Sequence, residues 1–176
     1  RPLRAGAMVV LALTAYREAE RAGGVARAAE QVSDFLERLF EVSDPMEMNG
    51  PSVTAREILD RGAERVDRQL ADQPLVQARL KLKIGRIYSG LGLYPEAVRQ
   101  LGEALAVRER ALGPRDVEVA RVLDELGNVR WLQGRFQEAE SFLRRSLAIK
   151  EASLPEDDLE LATTLNYLAL VLLDDA

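Results

Sequence analysis

No cysteine and no histidine occur in the 176 residues, and aromatic side chains make up only 5% of them. Those absences exclude a disulfide framework, a thiol nucleophile, a histidine general base and the usual structural zinc sites. An excess of positive charge is missing as well, since 24 Lys and Arg stand against 29 Asp and Glu, for a net charge of −5. A surface of that sign does not displace counterions from phosphates, so no nucleic acid is expected as a partner. Phosphate-binding loops and glycine-rich nucleotide motifs are absent too. Neighbouring carboxylates stand at Asp124-Glu125, Asp157-Asp158 and Asp174-Asp175. Adjacent residues on a helix point about 100° apart, so these do not make general acid/base pairs. The chain is therefore expected to be no enzyme, with no catalytic residue, cofactor or metal site.

Long apolar runs are scarce. The most apolar stretch, Ala5 to Ala15, has eleven uncharged residues. As a helix it would rise only about 16 Å against a hydrocarbon core of about 30 Å, too little to span a bilayer alone. It can be read as the tail of a membrane helix, a remnant of a signal-like segment, or one buried helix face. The chain opens Arg1-Pro2-Leu3-Arg4 without a methionine, which reads as a piece of something longer. Residues 1–24 are taken together as an N-terminal apolar helix or membrane-helix remnant.

Internal repetition supplies the main signal. Laying residues 85–120 over 127–162 brings twelve identical pairs together, among them Gly85/Gly127, Gly92/Gly134, Ala97/Ala139, Leu101/Leu143 and Asp116/Asp158. The period is 42 residues. Each copy reads as two helices joined by a tight glycine turn, with a proline- or acid-rich turn leading to the next copy at Gly113-Pro114-Arg115-Asp116 and Leu154-Pro155-Glu156-Asp157-Asp158. A third copy begins near Leu165 and stops at Ala176 before a second helix. Backward from residue 76 the pattern weakens. Val53 to Ala71 is expected to be the second helix of a degenerate repeat, opened by a Thr54-x-x-Glu57 capping box. Val25 to Val42, with one apolar stripe from Val25 to Phe40, would be its first helix.

The motif Ile84-Gly85-x-x-Tyr88, Gly92-x-Tyr94-x-x-Ala97-x-x-x-Leu101 and its copy at Leu126-Gly127 through Leu143 resemble the tetratricopeptide repeat. The 42-residue period is similar to that of the kinesin-light-chain-like variety. The resemblance implies an all-α, right-handed α-α superhelix with a divergent N-terminal helical cap. Its divisions are residues 25–75 as the degenerate repeat and 76–176 as the array, with repeats at about 76–117, 118–159 and a truncated 160–176. A second resemblance covers residues 25–75, where Val32-Ser33-Asp34-Phe35-Leu36, Leu39 to Pro45 and Val53 to Ala63 look like the region that joins membrane helix and repeats in bacterial serine/threonine protein kinases. It implies the non-catalytic sensor or recruiting part of such a kinase, cytoplasmic or tethered to a membrane upstream.

In such arrays the first helix of each hairpin lines the concave side, where peptides or partner helices bind. Counting from the glycine of each repeat, the groove positions are Arg79, Leu82, Arg86 and Ser89, then Arg121, Asp124, Asn128 and Trp131, then Thr163, Asn166, Leu170 and Leu173, with Lys83 at the edge. Arg79, Arg86 and Arg121 point to an acidic or phosphorylated peptide. Asn128 and Asn166 suit a peptide backbone, and Trp131 is either a flat apolar anchor or is packed under the next hairpin. Protein binding is the expected function, and the rival is a structural module that self-associates through its ends. For the latter, Leu165, Leu168, Val171 and Leu172 near the C-terminus are expected to be partly bare and to hold two copies together.

Overall fold

The computed structural model describes residues 54–175, all within one unit, Val53–Ala176. Six helices follow one another: α1 (Ala55–Gln69), α2 (Pro74–Gly90), α3 (Tyr94–Leu112), α4 (Val117–Leu132), α5 (Phe136–Ser153) and α6 (Leu159–Asp174). No strand occurs among the described residues. Consecutive helices pack on each other, and the first helices also meet in a row, α2 against α4 and α4 against α6. The expected first helix of the degenerate repeat, Val25 to Val42, and the apolar run Ala5 to Ala15 lie outside the described residues. Among those described, no helix is long and apolar enough to cross a membrane.

Local chemistry sets the helix ends. Thr54 caps α1 through a capping box, in which its hydroxyl accepts from the Glu57 amide at 3.2 Å while the Glu57 carboxylate accepts from the Thr54 amide at 2.9 Å. Asp116 and Asp158 cap α4 and α6 identically, each side chain accepting from an amide two residues on at 2.8 Å. That satisfies donors which a helix N-terminus leaves open. The α2–α3 and α4–α5 hairpins turn through matching motifs. The Leu93 amide reaches the Tyr88 carbonyl at 2.9 Å, and the Arg135 amide reaches that of Arg130 at 2.9 Å. Both turns need a residue in the left-handed region, and Gly92 (φ 74°) and Gly134 (φ 71°) supply it.

Inside each hairpin a second glycine sets the helix spacing. A methyl group on Gly85 would lie 2.7 Å from Leu101 Cγ, and one on Gly127 would lie 2.6 Å from Leu143 Cγ. Those contacts are too short for carbon, so only glycine permits the approach. Ala97, Leu101, Ala139 and Leu143 are completely buried beside them. Val119, Ala120, Leu123 and Ile149 form one apolar cluster, while Ala139, Leu143, Leu168 and Val171 form another that ties α6 to α5. Tyr88, also fully buried, donates its hydroxyl to Asp60 at 2.6 Å and so joins α2 to α1.

Candidate peptide-binding face

The candidate face is the layer made by α2, α4 and α6. On α2, Lys83 and Arg86 are exposed and Arg79 is half-buried. Arg79 and Lys83 stand four residues apart, one helical turn, and have no ion-pair partner among the described residues. Arg86 reaches across to α4, with its Nε 3.3 Å from Glu125 Oε1. On α4, Asn128 is half-buried, and on α6 Asn166 is exposed and Leu170 half-buried. The structure thus brings Arg79, Lys83, Arg86, Asn128, Asn166 and Leu170 onto one layer with accessible side chains.

Three expected groove residues are otherwise engaged. Asp124 is only 5% exposed, and its carboxylate takes Lys150 Nζ at 2.5 Å and the Thr164 hydroxyl at 3.0 Å. It faces the core because α5 and α6 both press on that side of α4, and a lone buried carboxylate must be paired there. Trp131 lies against Ala139, Leu143, Leu168 and Val171, and its indole N–H donates to Asp174 at 2.7 Å. It is therefore partly packed between hairpins and is no free anchor. Arg121 is half-buried and chelates Glu160, donating from Nε at 3.0 Å and from Nη2 at 2.6 Å, with Glu118 also in contact. Hydrogen bonding to Glu160, against an opposing cost of burial, raises the Arg121 pKa, and the same bond lowers that of Glu160. This cation is spent on joining α4 to α6.

Sequence reasoning missed Glu125 and Tyr167. They occupy the Lys83 position of the second and third repeats, two residues before the glycine place, and carrying Lys83 forward by one period would have found them. Burial pushes the Glu125 carboxyl up, and Arg86 opposes the change. Burial also raises the Tyr167 phenol, with Glu125 next in effect. The layer thus runs from a cationic end on α2, through the Arg86–Glu125 pair, to a polar and apolar end on α6. Among the described residues no cluster of acidic side chains could hold a metal ion.

With this geometry in place, the comparison with known proteins bears on the array. The family described as Tetratricopeptide repeat matches residues 76–152. Over that stretch, less than half of the chain, the repeats are similar to tetratricopeptide repeats, and the described fold is an all-α helical solenoid. The chain is similar to the crystal structure of BtubC (BKLC) from P. vanneervenii, with a TM-score of 0.59 and 21% identity over 84% of this chain. The aligned part spans 66% of that protein's chain, and at this identity the likeness concerns the fold alone. No curated protein matches by sequence. Tetratricopeptide repeats in general are non-catalytic and mediate protein–protein interaction, which is the function the array supports at this level.

Proposed function

We propose that the α2–α4–α6 layer receives a peptide with acidic or phosphorylated side chains. The observation that carries this reading is the pair Arg79 and Lys83, one turn apart on α2 and unmatched by any carboxylate among the described residues, in a protein whose net charge is −5. Nearly every other cation in the layer is matched, Arg86 by Glu125 and Arg121 by Glu160. An anionic partner would complete Arg79 and Lys83 in the same way. Asn128 and Asn166 would hold the peptide backbone, and Leu170 offers an apolar contact.

Fluorescence anisotropy with matched acidic, phosphorylated and basic peptides tests the reading. The acidic or phosphorylated peptides should bind, and reversing both charges in Arg79→Glu/Lys83→Glu should weaken them about tenfold or more. Preference for the basic peptides, or equal affinity in the variant, would overturn it. Arg121→Glu is unsuitable for this test, because it would set a third carboxylate beside Glu118 and Glu160 and loosen α4 from α6.

In the wider protein we propose a kinesin-light-chain-like array acting as the sensor or recruiting region of a bacterial serine/threonine kinase, tethered to a membrane upstream. The support is the sequence resemblance of residues 25–75. Sequencing the intact gene tests it, since the codons before Arg1 should encode a kinase catalytic domain and a membrane helix. A different upstream domain would refute the assignment.

A further inference from the structure

The junction between α2 and α4 lacks a carboxylate that the junction between α4 and α6 contains. In the later junction two cations meet two carboxylates. Lys150 is held by Asp124 and Thr164, Arg121 is held by Glu160, and Lys150 Nζ lies 3.6 Å from the Glu160 carboxylate. One period of 42 residues earlier, Arg121 becomes Arg79, Lys150 becomes Arg108, Glu160 becomes Glu118, Asp124 becomes Leu82 and Thr164 becomes Val122. Both members of the polar pair that holds Lys150 are therefore apolar in the earlier junction. Arg108, only 4% exposed, takes Glu118 instead, with Nη1 2.6 Å from its carbonyl and Nη2 3.0 Å from its carboxylate. Arg121 also contacts that carboxylate. Two cations thus hold the one carboxylate that the register assigns to Arg79. The pairing runs forward along the chain, so the partner withheld from Arg79 and the two residues that hold it all lie among the described residues. Burial chiefly lowers the Arg108 pKa; Glu118 opposes, and the charges of Arg121 and Arg79 lower it further, which puts the three guanidinium groups in one field. An anion is what that field lacks.

We propose that Leu82 is the residue that keeps Arg79 open, and that Arg79 anchors one carboxylate side chain of the partner peptide as Arg121 holds Glu160. This rests on the acidic-peptide reading of the layer, and it names the cation that carries the contact and the reason that cation is free. Arg121 offers Glu160 two donors, Nε at 3.0 Å and Nη2 at 2.6 Å, a forked geometry that a lysine cannot match. Arg79 accordingly outweighs Lys83, whose ammonium adds a point charge one turn away. Leu82 is a positioning residue that acts through Arg108 and Glu118. An aspartate in its place would take Arg108 as Asp124 takes Lys150, and would release Glu118 to close on Arg79.

A labelled oligoglutamate peptide is the probe, measured by fluorescence anisotropy against the 176-residue protein. Leu82→Asp should weaken binding about tenfold, whereas Leu82→Asn, of the same size without the charge, should stay within about twofold of the wild type. Adding Glu118→Gln to Leu82→Asp should restore the wild-type affinity, because the carboxylate that closes on Arg79 is then gone. In a crystal structure of the Leu82→Asp protein, the Glu118 carboxylate should lie within hydrogen-bond distance of Arg79. Arg79→Lys against Lys83→Arg tests the anchor without touching Leu82, and only the first should lose about tenfold. Equal weakening by Leu82→Asp and Leu82→Asn would overturn the proposal, since Leu82 would then act by packing or direct contact, and so would an Arg79→Lys protein that binds like the wild type. Binding that needs Arg79 and Lys83 but is indifferent to Leu82→Asp would overturn this proposal alone. No binding of oligoglutamate by the wild-type protein would overturn it together with the acidic-peptide reading.

Discussion

The α2–α3 and α4–α5 hairpins share their glycines, alanines and leucines and one buried cation, Arg108 in the first and Lys150 in the second, but the first buries another as well. In the first, Lys81 on α2 is 4% exposed and pairs with Asp67 of α1 and Glu103 of α3. In the second the equivalent place is Leu123, and the buried cation is Lys150 at the end of α5, 1% exposed, held by Asp124, Thr164 and the Glu160 carbonyl at 3.2 Å. Arg108 of α3, also in the first hairpin and in register with Lys150, is 4% exposed and donates to the Glu118 carbonyl at 2.6 Å. Burial lowers its pKa, with Glu118 opposing. The contact with the following helix thus repeats, Arg108 with Glu118 and Lys150 with Glu160. The differences are Lys81, which ties only the first hairpin to α1, and the Asp124–Thr164 pair, which only Lys150 meets.

The sharpest way to break the comparison is to remove each lysine. Lys150→Met should cost about 3 to 5 kcal/mol, because it strands the Asp124 carboxylate in the core. Adding Asp124→Leu should recover much of that loss. Lys81→Met should cost only about 1 kcal/mol, since the Asp67 and Glu103 side chains are 41% and 40% exposed and can rehydrate. Urea unfolding of the three variants measures the difference, and equal losses at Lys81 and Lys150 would show that the two junctions are equivalent after all.

The glycines test the shared part. Gly85→Ala and Gly127→Ala should each cost about 1 to 3 kcal/mol by overpacking Leu101 and Leu143. Similar falls in melting temperature are expected, whereas a loss at only one site would mean that the hairpins are less alike than their register.

The smallest effect concerns pH. Glu125 has its pKa raised, chiefly by burial, so its ionised form weakens the fold above that pKa and the penalty disappears as pH falls through it. Glu125→Gln should therefore raise the melting temperature slightly at neutral pH, with the gain vanishing in acid. A gain that persists below the ordinary carboxylate range would assign the effect to packing.

Much of the array was legible because its determinants are local. A positive φ at Gly92 and Gly134, an aspartate before α4 and α6, and the Thr54–Glu57 box each act within a few residues, so a linear pattern records them. The candidate face was only half legible. The repeat register put Arg79, Lys83 and Asn166 on the first helices of the hairpins, but it took Asp124 and Arg121 as open to a ligand and left Trp131 as either an anchor or packed under the next hairpin. Each is engaged by residues about 26 to 43 positions away, namely Lys150, Glu160 and Asp174. Nothing local distinguishes a solvated arginine from one that chelates a carboxylate in the next repeat.

By itself the sequence determined the helices, their turns and their order, because glycine, proline and aspartate act through backbone conformation and end-capping that need no distant partner. It also determined the close approach within each hairpin, since a glycine opposite a leucine admits only one spacing. Which charges are buried, which pair across repeats and which stay exposed was decided only in the tertiary structure. Desolvation depends on what the neighbouring helix presents, and that neighbour lies a whole repeat away.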